Sequence, residues 1–419
     1  MNSIAVIGAG ITGVTTAYEL MQRGFAVTVY DRNRYAAMDT SFANGGQLSA
    51  SNAEVWNHPA TIAKGLKWLL RPDAPLSLSL APSWHKYSWL AGFIGNIPNY
   101  RTNTIETARL AVAARQRMRD IAEAERIAFD RDDRGILHVY ASASEMAHAR
   151  RVSDLLAAGG VERSELDADA VRRLEPRLKG DFLGGFHTPG DATGDIHLFA
   201  TGLAAACVRQ GASFRMGSEI VDCRTGRDGV AIRYRDAGGA LRQSSHAAVV
   251  VCAGVGSRAL ARGLGDRLNV YPVKGYSITV NLTDEASRAA APQLSLLDDA
   301  AKIVTSRLGP DRFRVAGTAE FAGTNRDIRD CRIRPLVAWV NRCFPGVSTR
   351  QVVPWAGLRP MMPSMMPRVG PGSRSGVFYN TGHGHLGWTL SAATAELVAR
   401  SVEAHFGSAR VTGHAGKAA

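Results

Sequence analysis

The chain has 419 residues, 45% of them hydrophobic, and carries a formal net charge of +13. That length exceeds one simple core and that apolar content is globular, so two domains are expected and disorder is excluded as the main state. The positive charge is spread, with no Lys/Arg block and no nucleic-acid motif, and no apolar run nears the roughly 20 residues that span a bilayer, so no nucleic-acid partner and no membrane span are expected.

Ser3–Ile7 is a short apolar run of strand type, leading directly into Gly8-Ala9-Gly10-Ile11-Thr12-Gly13 and then a helical pattern through Val14, Ala17, Tyr18 and Met21. This is G-x-G-x-x-G between a strand and a helix, the setting that gives the motif its meaning. Gly8 permits the tight turn, Gly10 lets backbone approach a pyrophosphate, and Gly13 allows close packing of helix on strand. The phosphates then sit on the positive helix N-terminus. A second strand, Ala26–Tyr30, ends at Asp31 and Arg32, and an acid about 20 residues beyond the loop is placed to bind a ribose hydroxyl. Dinucleotide binding follows from this order of elements. The first strand follows Met1 almost at once, so no cleavable leader and a cytoplasmic location are expected.

Ser41 to Leu48 form a small polar turn containing Asn44, Gly45, Gly46 and Gln47. Residues 56–100 hold four tryptophans, Trp56, Trp68, Trp84 and Trp89, several prolines, and the amphipathic piece from Gly65 to Arg71; they read as irregular structure. An arginine-rich helix is expected from Thr104 to Ile127, a strand over Gly135–Ser142, and helices over Ser144–Ala158, Ala168–Leu174 and Ile196–Arg209. Between the last two, Thr188–Asp195 is a turn-rich loop. Strands follow at Ser213–Val221, which carries Ile220, and at Val230–Arg235, with a hairpin turn over Asp236–Gly239. Ala247–Cys252 is a continuous apolar run, the mark of a buried parallel strand, and enters Ala253-Gly254. Strands and turns alternate over 269–360 around one helix near Arg334–Cys343. A last strand, Val377–Asn380, enters Thr381-Gly382-His383-Gly384-His385-Leu386-Gly387-Trp388-Thr389, and a helix runs from Ser391 to His405. The five cysteines are dispersed without a C-x-x-C pair, so neither a disulfide framework nor a metal site is expected.

Glycine-bearing turns thus follow strands at the start, the middle and the end. A nicotinamide enzyme has no use for the last of them, whereas a large flavin must be clasped along its length, and amides at a helix start stabilise negative charge on the reduced ring. At these residues the sequence resembles the D-amino-acid oxidase superfamily of FAD enzymes, and most closely the bacterial D-amino-acid dehydrogenases. The resemblance rests on Gly8–Gly13 with Asp31; Ser41–Ser49; Tyr271–Ser277; Trp355-Ala356-Gly357-Leu358-Arg359-Pro360; and Asn380–Thr389 with Ser391.

The resemblance implies an α/β architecture: a Rossmann-type FAD-binding domain interleaved with an antiparallel-sheet α+β substrate domain. The expected FAD-binding pieces are 1–55, 143–222, 246–268 and 370–406. Residues 56–142, 223–245 and 269–369 form the expected substrate domain, and 407–419 a disordered tail. It implies FAD, oxidation of a D-amino acid to an imino acid, and electron delivery to a quinone or other respiratory acceptor. The expected cofactor contacts are Gly8, Ala9, Gly10, Thr12, Gly13, Asp31, Arg32, Ser41, Asn44, Gly45, Gly46, Gln47, Leu48, Ile220, Ala253, Gly254, Gly382, Gly384, Leu386, Gly387, Trp388 and Thr389. No cysteine lies between Gly357 and Trp388, so noncovalent FAD is expected.

An α-amino acid carries a carboxylate that must be held while its Cα hydrogen faces the flavin. Arginine suits this, because its planar fork binds carboxylate in bidentate fashion, and Arg359 is expected in that role. Tyr276 is a candidate to close over the carboxylate with its hydroxyl, and His383 to hydrogen-bond the flavin or polarise the amine. For each the alternative is a structural side chain. Lys274 reads as a surface residue rather than a flavin neighbour. The 56–100 segment is the candidate contact with a membrane quinone at the inner face of the plasma membrane, with burial as its alternative. Two other functions stay open: an amine, glycine or imino-acid oxidase on the same fold, and a flavin-binding electron-transfer subunit without a substrate site.

Overall fold

The computed structural model describes residues 2–68, 75–79, 81–227 and 229–415. Ser3–Ile7 lies inside a six-stranded sheet ordered Arg368–Pro371, Val377–Thr381, Ala248–Val251, Ser3–Ile7, Ala26–Asp31, Ser213–Met216. All neighbours are parallel except the first pair. Ile4, Ala5 and Val6 have no exposure, because the sheet is covered on both faces. Helices Ile11–Gln22, Ile196–Arg209 and Gly387–Ala415 cover one face. A three-stranded antiparallel sheet, Glu219–Gly226, Gly229–Arg235 and Leu241–His246, covers the other. The first helix packs so tightly on its strand that a Cβ on Gly13 would stand 1.8 Å from the Gly8 carbonyl oxygen. Only glycine fits there.

A nine-stranded, mostly antiparallel sheet forms the second body. Its order is Val352–Met361, Tyr271–Asn281, Arg312–Phe321, Ile303–Leu308, Ser295–Asp298, Ile136–Tyr140, Gly184–Thr188, Ser164–Asp167, with Leu76–Leu78 alongside Arg312–Phe321. Helix Asp330–Cys343 seals one face with Leu336, Trp339 and Val340 against Ile278, Val280, Phe313 and Val315. The opposite face looks toward the C-terminal ends of the parallel strands, where a parallel sheet presents its ligands. The gap between the two is the candidate site.

The structure divides the chain differently from expectation in several places. Gly217, at φ +69, breaks the single strand expected over Ser213–Val221, and the two halves join different sheets. The long helix spans Tyr100–Ala124 and packs Ala114, Met118 and Ile121 into the core beneath the parallel sheet rather than in the substrate body. Strands Ser164–Asp167 and Gly184–Thr188, expected on the FAD side, belong to the nine-stranded sheet, while Cys223, Ile232 and Tyr234 pack on the parallel sheet. Backbone pairing decides these memberships, and apolar patterning does not reveal the partner. The 56–100 segment, expected to be irregular, contains helices Pro59–Trp68 and Trp84–Gly95. The side chain of Trp68 and residues 69–74 lie outside the described residues. The tail expected to be disordered instead extends the last helix to Ala415.

Candidate functional site

One cavity of about 1040 Å³ runs from the glycine loop to Arg359. At its dinucleotide end Gly8 adopts φ +109, and the Asp31 carboxylate accepts the Ala9 N–H at 2.7 Å and the Asn33 N–H at 2.8 Å. Those two bonds brace the loop and leave lone pairs for a ligand hydroxyl. The first-turn N–H groups of helix Ile11–Gln22 have no carbonyl partner within the helix. The Ser41 hydroxyl takes that of Ile11 at 3.0 Å. Gly10, Thr12 and Ser41 line the cavity beside this helix start.

Toward the other end, residues 44–46 hang from the nine-stranded sheet. The Gly45 carbonyl accepts the Ser306 hydroxyl at 2.7 Å, and the Asn44 carbonyl accepts Arg314 Nη1 at 3.1 Å. Asn44, Gly45, Gly46 and Gln47 line one wall; Gly382, Gly384, Leu386, Gly387, Trp388 and Thr389 line another, with Arg32, Ile220, Ala253 and Gly254 between. Three expected contacts do not face the cavity. The Ala9 N–H is held by Asp31, Gly13 is packed against Gly8, and Leu48 is buried in the helix-side core.

Arg359 ends the motif on the edge strand Val352–Met361 and lines the same cavity. Its guanidinium lies across Gly275 of the neighbouring strand: a Cβ there would sit 2.4 Å from Cζ. This explains the glycine in Lys274-Gly275-Tyr276. Nη1 donates to the Thr318 carbonyl at 2.8 Å, and among the described residues no carboxylate pairs with the group. Burial pulls its pKa down to about 10, still far above neutrality, so it remains a cation without a counter-ion. Thr318 pays for the geometry with φ +59, a conformation worth roughly 1–3 kcal/mol of strain in a non-glycine residue. It stands where the strand pairing slips by a residue opposite Gly275. An uncompensated guanidinium held by a strained bulge is a receptor for an anion.

Tyr276, Lys274 and His383 each meet protein partners of their own. Tyr276 contributes its ring to the cavity wall, but its buried hydroxyl donates to Glu320 at 2.6 Å and does not reach over Arg359. Burial, then Glu320, raise its pKa, so it stays a neutral donor to that carboxylate. Lys274 is fully buried, not on the surface; its ammonium donates to Asn325 at 2.8 Å and to the Asp327 carbonyl at 3.0 Å, beside Glu320 at 3.6 Å. Glu320 also pairs with Arg329. Lys274 and Glu320 do not line the cavity, and Glu320 is the buried anion that Tyr276 and Lys274 share. His383 lines the cavity, yet its Nε2 meets the Thr394 hydroxyl at 2.9 Å and burial holds its pKa down to about 3. It is a neutral ring fixed by the last helix, with one N–H for hydrogen bonding and no cationic form near neutral pH.

Several residues at or behind the wall carry no motif. Arg314, which supports Asn44 from behind, is buried with Nε unpartnered. Alternation along Arg312–Phe321 was the available signal: Phe313 and Val315 face the helix-covered core, so Arg314 and Ala316 face the other way. Glu54, His58 and His148 line the cavity too, and nothing in their local sequence marks them.

The family described as DAO, FAD dependent oxidoreductase, matches residues 3–401. The chain belongs to this family. It is 57% identical to D-amino acid dehydrogenase 3 of Mesorhizobium japonicum, over 96% of this chain and 97% of that protein. It is 40% identical to a D-amino acid dehydrogenase of Paramagnetospirillum magneticum, over 94% of each. Among solved structures, glycine oxidase from Geobacillus kaustophilus superposes with a TM-score of 0.76 at 22% identity, covering 96% of this chain and 95% of that one. L-Proline dehydrogenase from P. horikoshii gives 0.74 at 14% identity, covering 96% and 93%. At those identities the structures speak for the fold. The cofactor of the family is FAD, and the cavity fits it. Trp388 Nε1 and Gln47 Oε1 are buried without a protein partner, and both residues line the wall. The glycine loop at one end suits a pyrophosphate, and the Gly382–Gly387 turn at the other leads into a helix N-terminus.

The buried histidines set an acid limit on stability. Burial lowers His383 to about 3, while burial and then Arg359 lower His385 to about 4, both from 6.5. The folded values lie below the unfolded one, so the unfolded chain takes up protons first. Their contribution is complete above pH 6.5 and is lost as pH falls, by up to about 1.4 kcal/mol per pH unit for each ring until its folded pKa is reached. Urea unfolding midpoints should therefore hold steady from pH 8 to 7 and fall between pH 6 and 5; equal midpoints at pH 7.5 and 5 contradict this.

Proposed function

We propose that the protein oxidises a D-amino acid, with Arg359 holding the α-carboxylate and a quinone-type compound as the final electron acceptor. One observation carries the reading: an unpaired guanidinium, pinned over Gly275, lines the same cavity as the glycine loop. Its two N–H edges match a carboxylate. The 57% identical relative is a D-amino acid dehydrogenase, which supports the substrate class. FAD, when bound, accepts the hydride that leaves Cα. The protein binds and orients, and the imino acid hydrolyses in water to a 2-oxo acid and ammonia. Burial makes the His383 ring a weak base and Tyr276 keeps its proton for Glu320, so neither is assigned the substrate proton; an amine that binds neutral needs no base, and positioning accounts for the rate. Arg359→Ala should keep its flavin and lose on the order of 100- to 1000-fold in kcat/KM for D-amino acids, the worth of two charge-assisted hydrogen bonds. Unchanged anaerobic bleaching of that variant by a panel of D- and L-amino acids would refute the assignment.

FAD is held noncovalently in this reading. Cys252 is the cysteine among the described residues that lines the cavity; burial raises its thiol to about 12, and it donates to Thr16 at 3.7 Å. Acid precipitation should leave the yellow colour in the supernatant, and coloured pellets would exclude it.

The acceptor side rests on helix Trp84–Gly95. Trp84 is 83% exposed, and Tyr87 and Ile94 follow it along the outer face. On the inner face Trp89 donates its indole N–H to the Met361 carbonyl and packs on Phe93. Leu90, Phe93 and Ile94 line the cavity, so one short helix joins an apolar outer stripe to the site. That arrangement suits an interfacial helix drawing an apolar acceptor from lipid. Among the described residues no helix is long and apolar enough to cross a membrane, so the contact is peripheral. Replacing Trp84 and Tyr87 by Ser should reduce flotation with anionic vesicles and turnover with a membrane-embedded quinone, at unchanged turnover with a soluble dye. Equal flotation of both forms would remove the membrane contact from the proposal.

A further inference from the structure

The cavity holds a second charged group, which the carboxylate-binding reading does not use. Glu54 follows the single turn Ala50–Asn52 and lines the cavity. Its Oε1 accepts the Tyr100 hydroxyl at 2.7 Å and meets His148 Nε2 at 3.2 Å. Its Oε2 has no hydrogen-bond partner among the described residues, and this oxygen is not sealed off. Burial alone would raise the carboxyl pKa, but His148 and Tyr100 outweigh it and keep the group ionised.

Aromatic rings frame this carboxylate. His58 stacks edge-on against Tyr100 at 4.9 Å and lies 6.1 Å from the His148 ring. The Ala60 N–H donates to His58 Nδ1, which turns the Nε2 edge outward. Trp56 stacks on His385 at 4.7 Å, and His385 is close enough to Arg359 to feel its charge. Glu54 therefore belongs to the Arg359 end of the cavity, away from the glycine loop. The other charges at this end are accounted for. Lys302 pairs with Asp299 while its charge also helps to keep Glu54 ionised, Glu145 accepts the Ala141 N–H, and Arg151 is exposed.

A carboxylate with one unused oxygen, set among ring faces, has the chemistry that recognises an organic cation: charge-assisted hydrogen bonds at the oxygen and attraction to the rings. A substrate ending in a methyl group would desolvate that oxygen and give nothing back. We propose that Glu54, framed by Trp56, His58 and Tyr100, receives the side-chain end of the substrate, and that D-amino acids ending in an ammonium or guanidinium group are preferred over neutral ones of equal length. The proposal rests on the reading that Arg359 binds the α-carboxylate of a D-amino acid.

The test uses the holoenzyme in a dye-coupled assay with D-lysine, D-arginine and D-norleucine, the last matching lysine without its charge. The kcat/KM ratio of D-lysine to D-norleucine should be about 10 or more, and that of D-arginine likewise, as expected for one charge-assisted contact. In Glu54→Gln, which keeps an acceptor for Tyr100, the ratio should collapse toward unity. In Glu54→Lys the preference should move to D-glutamate. Flavin content and Tm report whether each variant is folded, and the wild-type ratio decides the matter if neither is. A wild-type ratio near unity, or a ratio unmoved in folded Glu54→Gln, overturns the proposal while leaving D-amino acid oxidation intact. Failure of the wild type to oxidise any D-amino acid overturns the parent reading, and this one with it.

Discussion

A guanidinium that meets no carboxylate among the described residues organises this molecule. The Arg359 guanidinium has no carboxylate beside it, is held by one backbone carbonyl, and lies on a glycine that has no side chain to hinder it. Leaving a charge so placed is costly unless a ligand completes it. The surrounding structure keeps it in place: the bulge at Thr318, the pairing of Gly275 with Gly357, and the strained φ at Thr318 all serve its orientation. The buried rings of His383 and His385 are left neutral and add no positive charge beside it.

The architecture delivers this cation to the cofactor site by opposing two unlike sheets. The parallel sheet directs three strand ends, at Ile7, Val251 and Thr381, toward one edge, and each continues into a glycine-bearing turn. The nine-stranded sheet presents Arg359 to that edge, and its Arg314 and Ser306 side chains hold loop 44–46, which lines the cavity between the two. The bond between Met361 and His383 ties the arginine strand to the last turn. The division of labour is clear: the parallel sheet supplies backbone amides and helix starts, and the antiparallel sheet supplies side-chain charge.

Buried charge outside the cavity is treated in the opposite way. Lys274, Glu320, Tyr276 and Arg329 satisfy one another next to the site. Such a network is satisfied as a whole or not at all, and it holds the base of the segment between Phe321 and Asp330. Arg326 of that segment grips Asp39, beside the cofactor end of the cavity, with two bonds at 2.9 and 2.8 Å. The polar ends of Lys274 and Tyr276, on the strand paired with that of Arg359, are thus committed to this network.

What the sequence determined alone was local. The strand–glycine–helix order at Ser3–Gly13, the acid at Asp31, the turns at 253–254 and 382–387 and the Gly-Leu-Arg-Pro motif are each encoded within a few residues, because tight turns, helix starts and a carboxylate fork impose residue types at fixed spacing. Tertiary structure decided what depends on neighbours far along the chain. The hydroxyl of Tyr276 turns to Glu320, and Lys274 is buried, because strands 40 residues apart are paired. Helix Tyr100–Ala124 packs under the parallel sheet, and Glu54 meets His148 across 94 positions of chain. A side chain's partner is chosen by which strands and helices lie side by side, and apolar periodicity records only that a face is buried, not what buries it.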